Sequence, residues 1–268
     1  METMSSQDEQ WLLKEKYRSV ESEAFYADLK RLAEGEPLAY VIGHLPFLGC
    51  QIFLDSHPLI PRSETEYWVE KAISEIKKQT HRFETESLVK KLKDNESVPN
   101  KGIRVLDLCA GSGAIGIAVA KAIPEAHVTF GEIDQAHLPT IAKNLEANDI
   151  PCTRYQVFQS DLFERISGSF DFILSNPPYI DPKIDRTEKS VKEHEPYLAL
   201  YGGKDGTELI ERIIAGARAK IAPHGKLWLE HEPEQTSTIT LCAKKHNFSI
   251  STHPDQYDLL RYSVLVLQ

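Results

Sequence analysis

Apolar residues change their spacing several times along this chain, and each change predicts an element. Over residues 11–34, Tyr17, Val20, Ala24, Leu29 and Leu32 share one face of a 3.6-residue repeat, which predicts a helix stopped at Gly35. The apolar runs of HLPFLGCQIFLD break at Leu48-Gly49 and predict a short β-hairpin. Ser63-Glu64-Thr65-Glu66 has the form of a capping box, with Ser63 as the cap. Trp68, Val69, Ala72, Ile73 and Ile76 then supply an amphipathic helix. From Lys77 to Gly102 the periodicity dissolves into charge, KKQTHRFETESLVKKLKDNESVPNKG. That segment predicts a solvated insertion or linker, with room for a short helix from Leu88 to Leu92.

Beyond Arg104 two patterns alternate. Strand-like runs are RVLDL, HVTFGEI, YQVFQ, FDFILS, KLWLEH and YSVLVL; helical patterns cover Gly113–Ala122, Gln135–Asn148, Thr207–Lys220 and Glu234–Lys245. Alternation of this kind predicts an α/β fold, a mostly parallel sheet wrapped by helices on both faces. The ending NFSISTHPDQYDLLRYSVLVLQ gives strands without a helix between them, hence an antiparallel hairpin at one sheet edge. The chain therefore divides into a short helical region (1–43), a hairpin with its connecting helix (44–76), the charged insertion (77–102) and the main domain (103–268). No internal repeat is visible.

Composition narrows the classes. A length of 268 residues suits one large domain with a small appendage, and 41% hydrophobic with 26% charged residues is the balance of a soluble globular protein. Lys plus Arg 31 against Asp plus Glu 40 leaves a formal charge of −9, which argues against a general nucleic-acid binder. Cys50, Cys109, Cys152 and Cys242 are scattered without a C-x-x-C pair, so they predict reduced thiols of an intracellular protein and no metal site. No apolar run approaches the ~20 residues of a membrane helix, and METMSSQDEQ lacks the apolar core of a secretory signal.

The first strand of the main domain runs into Asp107-Leu108-Cys109-Ala110-Gly111-Ser112-Gly113-Ala114-Ile115-Gly116. Gly111, Gly113 and Gly116 make a G-x-G-x-x-G pattern, and Glu132 follows the second strand at the spacing of a ribose-binding acid. The pattern alone does not separate a nicotinamide dinucleotide from S-adenosylmethionine. Asp107 tilts the choice, because a carboxylate beside a pyrophosphate repels it, whereas a sulfonium and an ammonium welcome one. Asp134 is the rival to Glu132 for the ribose. Asp161 and Leu162, after the third strand, suit an adenine pocket: the acid accepts from the exocyclic amine while Leu162 packs on the ring.

Ser175-Asn176-Pro177-Pro178-Tyr179-Ile180 follows the fourth strand, which neighbours the first in sheets of this type, so its tip faces the cofactor. Neither proline offers a ladder N–H, and each residue before a proline is held extended. The loop is therefore stiff before a substrate arrives. A planar –NH2 on a carbonyl or aromatic ring is a poor nucleophile, because its lone pair is delocalised. Asn176 Oδ1 and the Pro177 carbonyl can each accept one of its hydrogens, and Tyr179 can close over the flat group. Such a site works by positioning and by stabilising the charge that develops on nitrogen.

DLCAGSG looks like the first motif of a methyltransferase, with Cys109 where glycine is usual. GEPLAYVIGHLPFLGCQIF, LIPRSETE, NPPYI, His194-Glu195-Pro196, Glu230 and Gln235 together resemble the HemK/PrmC family, protein-glutamine methyltransferases that modify class-1 peptide chain release factors. The likeness runs from Gly35 to the C-terminus. It implies a class I S-adenosylmethionine-dependent methyltransferase: a Rossmann-like, seven-stranded sheet with an antiparallel edge hairpin, plus a shortened helical N-terminal region. It implies a Gly-Gly-Gln glutamine as substrate, a monomeric enzyme, and no direct contact with nucleic acid or membrane. By the same resemblance, Asp107, Cys109, Ala110, Gly111, Ser112, Gly113, Glu132, Asp161, Leu162 and Asn176 contact the cofactor. Asn176, Pro177, Pro178 and Tyr179 hold the amide, joined by Glu195 and Arg62. SETEYW is similar to fungal mitochondrial members and implies a mitochondrial location, the cytoplasm being the alternative. The front of the chain departs from the family, whose members carry a longer helical domain that helps grip the release factor. Two other readings stand beside this one: an adenine amino-methyltransferase, since NPPY occurs in DNA enzymes too, and an inactive cofactor-binding subunit, against which the intact NPPY argues.

Overall fold

Two helices form where the pattern predicts one: α1 (Ser6–Glu15) and α2 (Glu23–Ala33), in a computed structural model that describes residues 6–94 and 102–268. Arg18 and Ser19 turn into the left-handed region, with φ of 51° and 64°, and Ser22 caps α2 by accepting from the Phe25 N–H. A third helix, α3 (Leu38–Ile42), stops at Gly43, where φ is 93°. Leu12, Phe25 and Val41 gather into a small apolar cluster of their own.

The expected hairpin is present as β1 (His44–Phe47) and β2 (Cys50–Phe53), paired antiparallel with Phe47 opposite Cys50. Leu48 and Gly49 both have positive φ, 46° and 77°, as a two-residue turn matched to strand twist requires.

At the start of helix α4 (Ser63–Asp94) the expected capping box does not form: Ser63 Oγ donates to Glu64 Oε2 at 3.0 Å, and Glu66 Oε1 is drawn away to accept from the Leu48 N–H at 2.6 Å. The helix buries Trp68, Val69, Ala72, Ile73 and Ile76 as expected. It then continues, so the expected break after residue 76 falls inside one helix, and the insertion read as linker is helical as far as Asp94. The physical reason is plain. No Gly or Pro interrupts residues 63–94, and Lys, Glu, Gln, Arg and Leu sustain a helix without an apolar stripe. Lys77, Lys78, His81 and Arg82 are exposed, which accounts for the lost periodicity. Residues 95–101 of the expected insertion lie outside the described residues.

The main domain then alternates: β3 (Arg104–Leu108), α5 (Ala114–Ala122), β4 (His127–Glu132), α6 (Leu138–Ala147), β5 (Tyr155–Gln159), β6 (Phe170–Ser175), α7 (Lys189–His194), α8 (Tyr197–Leu200), α9 (Glu208–Ala217), β7 (Ile221–Glu230), α10 (Thr236–Lys245), β8 (Phe248–Pro254) and β9 (Leu260–Leu267). The seven strands order as β5-β4-β3-β6-β7-β9-β8, with β9 antiparallel to both neighbours and the rest parallel. Side chains alternate across this sheet. Val105, Phe172, Leu174 and Trp228 pack with the hairpin, α4, α5 and α6 on one face. Leu106, Ile173, Leu227 and Leu229 pack with α9 and α10 on the other. Because β3 lies between β4 and β6, the winding reverses there, and the carboxyl ends of these strands open a crevice.

Candidate active site

Two cavities meet at that crevice. The first, about 310 Å³, is lined by Cys109, Gly111, Glu132, Asp161, Leu162 and Asn176. The second, about 570 Å³, is lined by Arg62, Asn176, Pro177, Tyr179, Glu232 and Gln235, among others. Asn176 borders both, as do Leu59 and Ala199, so these residues form the wall between them.

The glycine loop is shaped by backbone strain and by packing. Cys109 adopts φ of 61°, a left-handed conformation that glycine takes without cost. Gly111, with φ of 54°, has only Pro58 Cβ within reach of an added methyl, at 3.9 Å. These two residues face the first cavity. Ala110, Ser112 and Gly113, expected as cofactor contacts, lie outside its lining and frame the loop instead. The Ala110 N–H donates to the Gly131 carbonyl at 3.1 Å, and the Ser112 carbonyl accepts from Asn144 Nδ2 at 2.9 Å. A methyl on Gly113 would press on Ile117 and Ile141 at 3.1 and 3.2 Å.

Asp107 departs further from expectation. It is wholly buried and absent from the cavity wall; Oδ2 accepts from the Gly116 N–H at 2.8 Å, and Oδ1 has no partner. Burial lifts its carboxyl to about 8; the Gly116 N–H pulls the other way and the Glu132 charge adds to the rise. Asp107 therefore ties the loop to the start of α5.

Glu132 ends β4 and is buried against the cavity. Oε2 accepts from the Gly111 N–H at 2.7 Å and Oε1 from the Asp134 N–H at 2.8 Å, which fixes the carboxylate while leaving a lone pair on each oxygen. Asp134 also borders the cavity, but its Oδ1 is committed to capping Ala136 at 2.8 Å. Asp161 holds Arg212 Nη2 with both oxygens, at 3.0 and 2.9 Å, and Leu162 is buried beside it with φ of 47°. Glu132, Asp134, Asp161 and Glu208 outnumber Arg212 in this lining, and Arg212 is already paired. Among the described residues, a lining with four acids and an arginine already paired suits a sulfonium and an ammonium rather than a pyrophosphate.

The loop after β6 is gripped from both sides. Ser175 Oγ donates to the Leu108 carbonyl at 2.8 Å. Gln235 Nε2 donates to the Tyr179 and Gly206 carbonyls at 2.7 and 3.1 Å. Below the loop lies Glu230, almost wholly buried at the end of β7. Its Oε2 accepts from Thr65 Oγ1 at 2.7 Å and Trp68 Nε1 at 2.6 Å, and its Oε1 from Tyr179 Oη at 3.0 Å. Asn176 Nδ2 donates to Thr65 Oγ1 at 3.1 Å, which joins the loop to α4. Burial raises the Glu230 carboxyl above its ordinary range, opposed by the three donors. Burial, then the Glu230 charge, pushes the Tyr179 phenol well up. Pro178 borders the first cavity, Pro177 and Tyr179 the second.

Glu195, expected to touch substrate, is buried and engaged. Its Oε2 accepts from the Ile60 N–H at 3.0 Å and its Oε1 from Arg62 Nη2 at 2.5 Å, so it pins the segment before α4 to the turn before α8. Arg62 remains partly open and borders the second cavity. Sequence reasoning did not single out Thr65, Trp68 or Arg212 as parts of the site. Each is joined to it only through tertiary contacts, and no local pattern signals that.

A profile described as "Methyltransferase small domain" matches residues 81–194. A release factor glutamine methyltransferase of Agrobacterium fabrum is 34% identical over 232 residues, covering 86% of this chain and 74% of that protein. The same-named protein of Streptococcus pneumoniae is 32% identical over 272 residues, 99% of this chain and 88% of its own length. Among solved structures, the N-terminal domain of human METTL16 in complex with SAH aligns with a TM-score of 0.52 at 16% identity, covering 82% of this chain and 76% of that one. At that identity the match speaks to fold, and the fold is that of a class I methyltransferase.

Proposed function

We propose that this chain, which belongs to the release factor glutamine methyltransferase family, methylates the side-chain amide nitrogen of the glutamine in a class-1 release factor's Gly-Gly-Gln motif. S-Adenosylmethionine is the methyl donor, and when bound it supplies an electrophilic methyl carbon on a sulfonium. Asn176 in the wall between two cavities is the observation that carries this reading. One cavity takes the cofactor and the other the glutamine side chain.

On the cofactor side, Cys109 and Gly111 give the backbone clearance, Glu132 accepts from the ribose hydroxyls, and Leu162 with Asp161 borders the adenine. On the substrate side, Asn176 Oδ1 and the Pro177 carbonyl accept the two amide hydrogens and aim the nitrogen through the shared wall. Arg62 borders the entry. Fixing the amide in line draws on positioning, which supplies ~7–11 kcal/mol in favourable cases. The same two oxygens follow the hydrogens as charge develops on nitrogen, and an N-alkylated amide cation then loses its proton without a dedicated base.

The second cavity also argues against a nucleic-acid substrate. Asp181, Asp205, Glu211, Glu232 and Glu234 line it against Arg62 and Arg186, and Arg186 is paired with Glu234. Phosphates would meet repulsion there. Mass spectrometry of release factors incubated with enzyme and cofactor should find one added methyl on the Gly-Gly-Gln peptide. Asn176→Ala should reduce that transfer by about 100-fold or more while cofactor binding persists. Methylation of adenine in DNA with the release factor untouched would overturn the reading, as would near-normal turnover by Asn176→Ala.

A further inference from the structure

We infer that Thr65 and Glu230 are positioning residues that decide which end of the Asn176 carboxamide faces the substrate. The inference rests on the reading that Asn176 grips the glutamine amide. The oxygen and nitrogen ends of a carboxamide are nearly the same size, so packing alone does not choose between them. Hydrogen-bond polarity does. The Thr65 hydroxyl has one proton, and Glu230 Oε2 lies 2.7 Å away as a carboxylate oxygen that can only accept. The proton goes there. Thr65 Oγ1 then has only lone pairs for Asn176, and it takes a hydrogen from Nδ2 at 3.1 Å. Oδ1, which no group among the described residues engages, is left for the incoming amide. Reversed, Asn176 would turn –NH2 toward –NH2, and the substrate could not be held.

The hub has to be an acceptor because three donors converge on it. Trp68 Nε1 cannot accept at all, and it shares Oε2 with Thr65, at 2.6 Å. That detail yields a sharp expectation. In Glu230→Gln the indole N–H holds the new amide's oxygen at the Oε2 place, and the Tyr179 hydroxyl, on the other side, can turn to accept from the new –NH2. The direction of the Thr65 bond survives even though the charge is gone. In Glu230→Met only a weak thioether acceptor remains, the Thr65 proton is released from the carboxylate, and it can donate to the stronger acceptor Asn176 Oδ1 and hold the carboxamide the wrong way round.

Steady-state methylation of a release factor by single and double variants tests this. Thr65→Val should lower kcat about tenfold with the cofactor KM within about twofold, and Thr65→Ser should restore kcat to within about threefold of wild type. Glu230→Gln should retain most of the activity that Glu230→Met loses. On the Glu230→Met background, adding Thr65→Val should raise kcat, because it removes the misdirected donor. A role in packing alone predicts the reverse, a further loss. A Thr65→Val enzyme within twofold of wild type, or a double variant slower than Glu230→Met, would overturn the inference. Should the Met variants not fold, nuclear Overhauser contacts from the Asn176 side-chain –NH2 to the Thr65 methyl in wild-type enzyme report the orientation directly. Their absence, with the –NH2 near the cofactor instead, would overturn it equally. The Asn176→Ala control separates the two levels: activity in that variant defeats the proposed function itself, whereas inactivity there beside a normal Thr65→Val enzyme defeats only this inference.

Discussion

Gly111 and Gly116 belong to one glycine pattern, yet an added methyl meets opposite surroundings at the two. On Gly111 it finds space, with Pro58 Cβ at 3.9 Å, but φ of 54° makes the substitution strained by about 1–2 kcal/mol, and the methyl narrows the first cavity. On Gly116 it would lie 2.4 Å from Phe130 Cε1 and 3.0 Å from Asp107 Cβ, overpacking of a kind that costs about 1–3 kcal/mol. Gly116→Ala should therefore lower the melting temperature and leave the cofactor Kd of the folded fraction unchanged, whereas Gly111→Ala should weaken the cofactor Kd, read by calorimetric titration. Asp107 gives a pH signature at the same place. Its carboxyl titrates near 3.8 when unfolded and at about 8 when buried, so the folded state binds the extra proton between those values. The stability this contributes is fully present below about pH 4 and is lost as pH rises through about 8. Thermal melts of the cofactor-free protein from about pH 6 to 9 should fall less steeply for Asp107→Asn than for wild type. Parallel slopes would show that the buried carboxyl is already ionised at neutral pH.

The elements of the sheet were legible because each strand is an apolar run closed by turn residues, and the alternation with helices is strict from Arg104 on. The cavity wall was legible for the same reason: Glu132, Leu162 and Asn176 follow strand ends, where a doubly wound sheet collects its ligands. The supports were not. Thr65 lies 111 residues from Asn176 and 165 from Glu230, and Arg212 lies 51 from Asp161. Only tertiary packing selects such pairs. The structural bonds of Asp107 and Glu195 were hidden for a related reason, since an acid beside a motif looks the same whether it faces a ligand or holds a backbone N–H. The distal half of α4 escaped because its sequence carries no apolar stripe and so no period to detect, and the break between α1 and α2 escaped because Arg18 and Ser19 make it without glycine or proline. Hydrogen exchange should divide α4 at Ile76, the last of its five expected core residues. Amides from Trp68 to Ile76 should exchange far more slowly than those from Lys77 to Asp94, whose ladder has little burial behind it where side chains are described. Equal protection along the whole helix would mean that its distal half packs against something.

At the scale of the molecule, the N-terminal helices gather around a second, smaller apolar cluster. Leu12, Phe25 and Val41 make a cluster separate from the two that cover the sheet, and Asp28 draws Lys16, Tyr17 and Arg31 together at 2.6, 2.6 and 2.7 Å beside it. Helix α3 is the joint: Val41 belongs to that cluster, whereas Tyr40 is part of the main core and donates to the Pro58 carbonyl at 2.6 Å. Pro58 opens the segment that reaches Leu59, which borders both cavities, and Arg62, which borders the second. Removing residues 1–34 should therefore expose Val41 and leave the sheet, the cofactor cavity and the grip on Asn176 in place. If the missing helices serve to hold the release factor, the truncated enzyme should bind cofactor and methylate a short Gly-Gly-Gln peptide about as well as the full chain. Its KM for an intact release factor should rise roughly tenfold, the loss of about 1.4 kcal/mol of binding. An unchanged KM for the intact factor would place the docking surface entirely on the sheet domain. Loss of cofactor binding would show instead that the joint at Tyr40 and Pro58 needs both clusters to hold the cavity wall in shape.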